Sequence, residues 1–458
     1  MSGLNPRHFL ILLLLMLLPW AFGTVERWAV QLALLVTAAL FLLTLVADLK
    51  NRALWMRPGP LAMTGLFFLI LLPYTVLQGY LNPLAPGGPT FQTALPFLPA
   101  SVNLVYSRDH VLLILGWFLL GWTVSRNFNS RPAVKLLVWA LALNAVALVI
   151  VALLQRATGT RMLLWFRPVS FIMDPNLPAI FVGPFVNRNH FAAYMNLIWP
   201  LLLIPWREAA KGTNAVYGNL KDRHVLVAFI MSILIFGTVY SGSRAGIGIM
   251  ILLLLVSLHS FRRSLAVVPR LFVLSCILLV LGFILFGLGS AFFDRLFDTF
   301  FKRDAGSLSA DWRWTQYQDS WRAFQASPYW GWGPGTFIKI FPAFQSPEIY
   351  LSVQYTHNDY LQTLVETGVF GLTVFMLMLT MILMCLRRLY VRLEHGFWRA
   401  VIRAAAISLT GILIHALVDF PLQMGGLSLT AAAMVGLAFA AREHAGDGST
   451  APEGSRRD

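Results

Sequence analysis

Residues 133–154 read AVKLLVWALALNAVALVIVALL, with one charge in the first turn and one amide near the middle. Such a stretch reads as a membrane-crossing helix, because about 20 apolar residues rising 1.5 Å each match the hydrocarbon thickness of a bilayer. Similar stretches recur along the whole chain. About twelve spans are read, at residues 8–23, 28–47, 60–80, 109–125, 133–154, 189–206, 224–241, 244–259, 271–290, 360–386, 398–419 and 424–441. The composition agrees: 458 residues, 58% hydrophobic and 12% charged, with a mean hydropathy of +0.69. Soluble domains carry about a quarter charged residues. A β-barrel would alternate apolar and polar residues instead. The expected fold is therefore an all-α polytopic membrane protein of about 12 transmembrane helices. Residues 1–442 form a single transmembrane domain, and the Gly/Ser/Pro-rich stretch 443–458 is expected as a disordered tail. The opening RHFLILLLLMLLPWAFG has the look of a signal peptide, with Ala21-Phe22-Gly23 as a cleavage site. The topology needs it as a retained first span.

The net charge of +15 would suit nucleic acid in a soluble protein. Here it follows the positive-inside rule, and no nucleic-acid partner is expected. Lys50, Arg52 and Arg57 share one side with Arg126, Arg131 and Lys135, with Arg207, Lys211, Lys221 and Arg223, with Arg262, Arg263 and Arg270, and with Arg387, Arg388, Arg392 and Arg399. That side reads as cytoplasmic and takes both termini. The opposite side carries three long loops, about 81–108, 156–188 and 291–357. Cys276 and Cys385 lie inside apolar runs and behave as small hydrophobes. CxxC, HExxH, Walker A and GxGxxG patterns are absent, which removes support for zinc hydrolysis and for a P-loop.

The third loop contains SADWRWTQYQDSWRAFQASPYWGWGPGTF. Trp314, Tyr317, Trp321 and Phe324 recur at helical spacing, so an amphipathic helix is expected, ending at Ser327 ahead of Pro328 and lying at headgroup level. Arg313 falls off that stripe. GWGPG must turn tightly. Arg188 in FVNRNHFAAYMN and Arg244 in VYSGSRAGIGI sit on the outer side, where arginine is disfavoured and needs an anionic partner or an interfacial role. Acidic residues are sparse nearby, so a ligand phosphate is a candidate, well matched by the guanidinium fork. His357 precedes a helix start capped by Asn358. The positive end of that helix favours the neutral imidazole, able to accept a proton. Asp359 either orients the ring or simply occupies the first turn, the latter being favoured. His415 and Asp419, four apart, are read as a packing pair on one helix face.

FVNRNHFAAYM, SGSRAG, an arginine fifteen positions before the proline of SPYWGWGPGTF, THNDYLQTLVETGVFG and HALVDFPL occur in this order. Together they resemble the O-antigen ligase and O-antigen polymerase superfamily, over roughly residues 180–425. The resemblance implies a GT-C-type membrane glycosyltransferase in the bacterial inner membrane, with its active site facing the periplasm. Such proteins are metal-independent, inverting and without cofactor. They take a glycan from undecaprenyl pyrophosphate and pass it to lipid A–core oligosaccharide (a ligase) or to another lipid-linked glycan (a polymerase). Membrane lipids are the remaining partners. The family's arginines correspond to Arg244 and Arg313, both implied to hold the pyrophosphate, and its histidine to His357. Arg188, with Asn187 and His190 of the NRNH motif, is implied at the donor. Asn358, Asp359, Trp314, Tyr317 and Trp321 are expected to support the site. No DxD sequence occurs to hold a divalent metal, which fits arginines in the metal's place. The ligase is the leading expectation and the polymerase the alternative. Transfer to a protein acceptor and transport of lipid-linked glycan are more distant possibilities.

Overall fold

The structure, a computed structural model, describes residues 4–50, 98–160, 162–168, 182–209, 220–265, 308–347, 349, 352–393 and 396–445, with isolated positions between 65 and 77. Its helices are α1 (Pro6–Trp20), α2 (Arg27–Lys50), α3 (Leu104–Asn127), α4 (Arg131–Ala157), α5 (Arg188–Ile198), α6 (Leu203–Ala209), α7 (Leu220–Tyr240), α8 (Arg244–Leu265), α9 (Leu308–Ala326), α10 (Phe337–Ile340), α11 (Asp359–Arg392), α12 (Phe397–His415) and α13 (Gly425–Ala440). A short antiparallel hairpin, β1 (Met162–Leu163) with β2 (Arg167–Pro168), follows α4.

Among the described residues seven helices are long and apolar enough to cross a membrane: α2, α3, α4, α8, α11, α12 and the run from α13 to His444. The chain is an all-α polytopic membrane protein. Leu35, Leu255, Leu377 and Leu383 are more than half exposed, as lipid-facing positions should be. The stretches 60–80 and 271–290 lie almost wholly outside the described residues. The expected span 189–206 is not one helix. It breaks into α5, a 3₁₀ turn at Trp199–Leu202 and α6, because Pro200 has no N–H for the helical ladder. Glu443 and His444, placed by sequence in a disordered tail, instead finish a 3₁₀ turn at Ala441–His444. The His444 ring stacks on Trp398 at 4.1 Å.

Polar groups inside the bundle are satisfied by neighbouring helices, since lipid offers them nothing. Asn144, the amide in the middle of the opening stretch, accepts from Trp20 Nε1 at 2.8 Å and donates to the Met16 carbonyl at 3.1 Å, tying α4 to α1. Asn196 on α5 donates to the Gly246 carbonyl of α8 at 2.8 Å. Close helix contact is bought with small residues: a Cβ at Gly436 of α13 would stand 2.2 Å from the Gly121 carbonyl oxygen of α3. Helix α5 is buried from His190 to Ile198, packed against α4, α7, α8 and α12. Its exposed first residue, Arg188, emerges at one end.

Candidate functional site

Three helices begin at that end, each with a side-chain cap. Asn187 accepts from the Asn189 N–H at 2.8 Å and starts α5. Ser243 accepts from the Gly246 N–H at 3.1 Å and starts α8. Asn358 accepts from the Tyr360 and Leu361 N–H groups, both at 3.0 Å, and starts α11. Arg188 and Arg244 are therefore the first helical residues of α5 and α8, and His357 directly precedes the cap of α11. Gly242 sits at φ +63°, and a Cβ there would lie 3.8 Å from Arg188 Nη1, so the α5 start adjoins the turn leading into Arg244. Helix N-termini carry partial positive charge. Guanidinium groups beside them make this end attractive to anions.

His357 adopts φ +53°, a left-handed conformation that costs a non-glycine residue on the order of 1–3 kcal/mol. Its neighbours hold it there. Thr356 Oγ1 donates to the Asn358 carbonyl at 2.6 Å and accepts from the Asn358 N–H at 3.1 Å. The Tyr317 hydroxyl donates to the His357 carbonyl at 2.9 Å. The twist directs the imidazole at Asp419: Nδ1 lies 3.0 Å from Asp419 Oδ1. The histidine side chain is 30% exposed and the aspartate side chain 1%. Asp419 Oδ1 also accepts from the Phe420 N–H at 3.0 Å.

Asp419 is the residue that sequence reasoning misplaced. The two do not share a helix face, because α12 ends at His415 and Asp419 lies in the turn beyond, although both are buried and the Asp419 N–H donates to the His415 carbonyl at 2.9 Å. The signal was Pro421, which disfavours helix at Phe420. Burial would raise the Asp419 carboxyl. The hydrogen bond with His357 and the surrounding imidazoles of His190, His357 and His415 outweigh it and hold the pKa below the ordinary carboxylate range. Asp419 is a carboxylate, able only to accept. Nδ1 of His357 is therefore the donor in this hydrogen bond, and in the neutral ring Nε2 is the acceptor.

Phe420 organises the surroundings. The rings of His190 and His357 each meet it edge-on at 4.9 Å, and Tyr355 stacks on it at 4.3 Å. Burial, with the carboxylates of Glu366 and Asp359, pushes the Tyr355 phenol up to about 12. His190 is buried, and its Nε2 has no hydrogen-bond partner among the described residues. Arg313 lies near the base of α9, where its charge reaches Tyr317 and His415. Burial raises the Tyr317 phenol, partly offset by Arg313.

The expected amphipathic helix is α9, and it ends at Ala326, one residue before the position read from Pro328. Its aromatic stripe is split: Trp314 is 65% and Trp321 48% exposed, while Phe324 is buried and Tyr317 reaches the His357 carbonyl. Neither tryptophan lines the His357 site. The inward face is mixed, with Gln316, Asp319 and Ser320 buried beside Ala323 and Phe324. Gln316 donates to the Tyr355 carbonyl, and Asp319 Oδ2 accepts from the Ser346 N–H at 2.8 Å. Asp359 occupies the first turn of α11, where Oδ2 accepts from the Leu422 N–H at 2.9 Å. It does not touch the imidazole. The structure thus brings His357, Asp419, Tyr317, His190, His415 and Arg313 together, with Arg188 and Arg244 at adjoining helix starts.

The GWGPG turn is fastened to α11 by Glu366, whose carboxylate accepts from the Gly335 N–H at 2.6 Å and the Phe337 N–H at 3.1 Å. The two backbones nearly touch: a Cβ at Gly331 would stand 2.4 Å from the Glu366 carbonyl carbon, and one at Gly368 2.3 Å from the Tyr329 oxygen. Gly368, at φ +64°, kinks α11 at this clasp. Residues 227–376, which include Arg244, Arg313 and His357, match the family model described as O-antigen ligase. No curated protein matches the chain.

Proposed function

We propose, from the premise that residues 227–376 form a domain of the O-antigen ligase and polymerase superfamily, that this protein is an O-antigen ligase. It moves a glycan from undecaprenyl pyrophosphate to lipid A–core oligosaccharide at the periplasmic face of the bacterial inner membrane, with both termini cytoplasmic. The observation that carries the chemistry is the His357–Asp419 hydrogen bond of 3.0 Å beside the Arg313 side chain and the capped helix starts. His357 Nε2 accepts the proton of the acceptor hydroxyl. The freed oxygen attacks the anomeric carbon from the face opposite the diphosphate, so a C–O bond forms as the bond to the phosphate oxygen breaks, with inversion. Asp419 orients the ring and stabilises the imidazolium that results, and general-base catalysis of this kind is worth about 10²–10⁴-fold. The leaving diphosphate gathers negative charge. Arg244, Arg313 and Arg188, with the helix N-termini, are placed to stabilise it in a site of low dielectric. Asn187 acts through its cap on α5, and Asn358 through its cap on α11.

The test is a deletion strain analysed on a lipopolysaccharide gel. The ligase reading expects every long chain to vanish from the core while lipid-linked polymer accumulates. Core carrying a single repeat unit would mark a polymerase instead.

A further inference from the structure

Helix α11 carries two polar side chains one turn apart, Gln362 and Glu366, which are only 2% and 1% exposed. Polar side chains inside a membrane-crossing helix are costly and tend to mark function. Neither touches the imidazole of His357, yet the two connect it to the GWGPG turn. Glu366 accepts from the Gly335 and Phe337 N–H groups of that turn. Its Oε1 also accepts from Gln362 Nε2 at 3.0 Å. At the other end of the amide, Gln362 Oε1 accepts from the Thr356 N–H at 3.2 Å. The orientation of this amide is fixed, because a backbone N–H can only donate: the oxygen must face Thr356, and the nitrogen is left for Glu366.

The connection ends on the residue before His357. That histidine holds φ +53°, a backbone state that persists only when several neighbours enforce it. The segment is gripped from two helices. From α9, Gln316 donates to the Tyr355 carbonyl and Tyr317 to the His357 carbonyl. From α11, the Gln362 side chain takes the Thr356 N–H between them. Thr356 itself is fully buried and bonds both ways to the Asn358 backbone.

We infer that Gln362 is a positioning residue. Through Thr356 it fixes the backbone that aims the His357 imidazole at Asp419, and through Glu366 it ties that aim to the GWGPG turn. It meets no reacting atom and acts only on orientation. Its part in transfer rests on the reading of His357 as the base, whereas the mechanical link from Gln362 to the His357–Asp419 pair does not.

The experiment is a double-mutant cycle on the full chain in phosphatidylcholine nanodiscs, read as Tm. Gln362→Met keeps the length of the side chain and removes both of its hydrogen bonds. Once the imidazole loses its aim, Asp419→Asn has less left to remove. Its Tm shift should therefore fall to about half or less in the Gln362→Met background, the remainder coming from the Phe420 N–H that Asp419 also accepts. Residues that act independently give additive shifts, and additive shifts here overturn the inference. Should Gln362→Met fold poorly, Glu366→Gln completes the same cycle, since its N–H₂ is set against the donors of Gln362 or of the turn. In a reconstituted transfer assay, Gln362→Met should lower kcat about tenfold while the KM for donor stays within about twofold, as for a misaimed base with binding intact. A non-additive cycle beside an unchanged kcat would uphold the link and count against the proposed base alone.

Discussion

Arginines gather at both ends of this bundle, and most are met by the chain itself, as Arg27 is by Asp109 at 2.6 Å and Arg322 by Asp319, but Arg244 and Arg313 at the His357 end are treated differently. At the end where α3 closes and α4 opens, the cations are met by the protein itself. Arg126 pairs with Asp48 at 2.6 Å and Glu443 at 3.1 Å. Arg403 donates to the Tyr390 hydroxyl at 2.7 Å and the Ser260 carbonyl at 2.9 Å, and Arg207 donates to the Gly396 carbonyl. At the His357 end, Arg244 and Arg313 form no ion pair with a carboxylate among the described residues, and the carboxylate of Asp419 is engaged by His357. Cations answered from within the chain are structural. Cations without such a pair, near helix N-termini, are suited to a ligand.

The comparison breaks most sharply at the imidazole. His357→Ala is expected to lower transfer about 10²–10⁴-fold in a reconstituted assay, and a near-wild-type rate would remove the proposed base. Arg313→Ala should cost about 10²–10³-fold in turnover, in line with loss of one preorganised donor to a developing anion. Arg244→Lys should stay impaired in the same assay, because an ammonium cannot present a fork. The smallest effect is expected at the other end. Arg126→Ala should leave transfer unchanged and lower stability by no more than about 1 kcal/mol in a thermal melt, its pairs being partly exposed.

Asp419 adds a dependence on pH. Its folded pKa is depressed, so its contribution to stability is fully present above the ordinary carboxyl pKa of about 4 and is lost as pH falls towards the lower folded value. Melting curves of wild type and Asp419→Asn should therefore differ by a constant amount from neutrality down to about pH 4, and the gap should narrow only as pH falls further towards the depressed folded value. A gap that already closes between about pH 7 and pH 5 would mean that the carboxylate is not what His357 stabilises.

Much of this arrangement was legible in the chain, because local chemistry places it. Asn358 stands where a helix must start and was readable as a cap, and Asn187 and Ser243 are residues of the same capping type, though only the structure shows them in that role. The hydropathy of the long spans is likewise a local property. What stayed hidden depends on distant partners. His357 and Asp419 are 62 residues apart, and only the fold brings them together. Glu366 reads as an ordinary helical glutamate until the GWGPG turn is seen resting on it. The inward face of α9 was obscured for another reason. Its buried polar residues pack on an irregular loop while Ala323 and Phe324 enter a small core with Trp332 and Phe337, so the aromatic stripe is split between inward Phe324 and outward Trp314 and Trp321. The broken span at 189–206 was readable from Pro200 but was outweighed by its hydropathy.

The central claim is that Arg244 and Arg313 hold the diphosphate while His357 performs the proton transfer. The most direct measurement is equilibrium binding of undecaprenyl pyrophosphate to the full chain, compared across wild type, His357→Ala, an Arg244→Gln/Arg313→Gln double variant and Arg126→Ala. The account predicts wild-type affinity in His357→Ala and Arg126→Ala, and a loss of at least tenfold in the double variant. Undiminished binding by the double variant would contradict it.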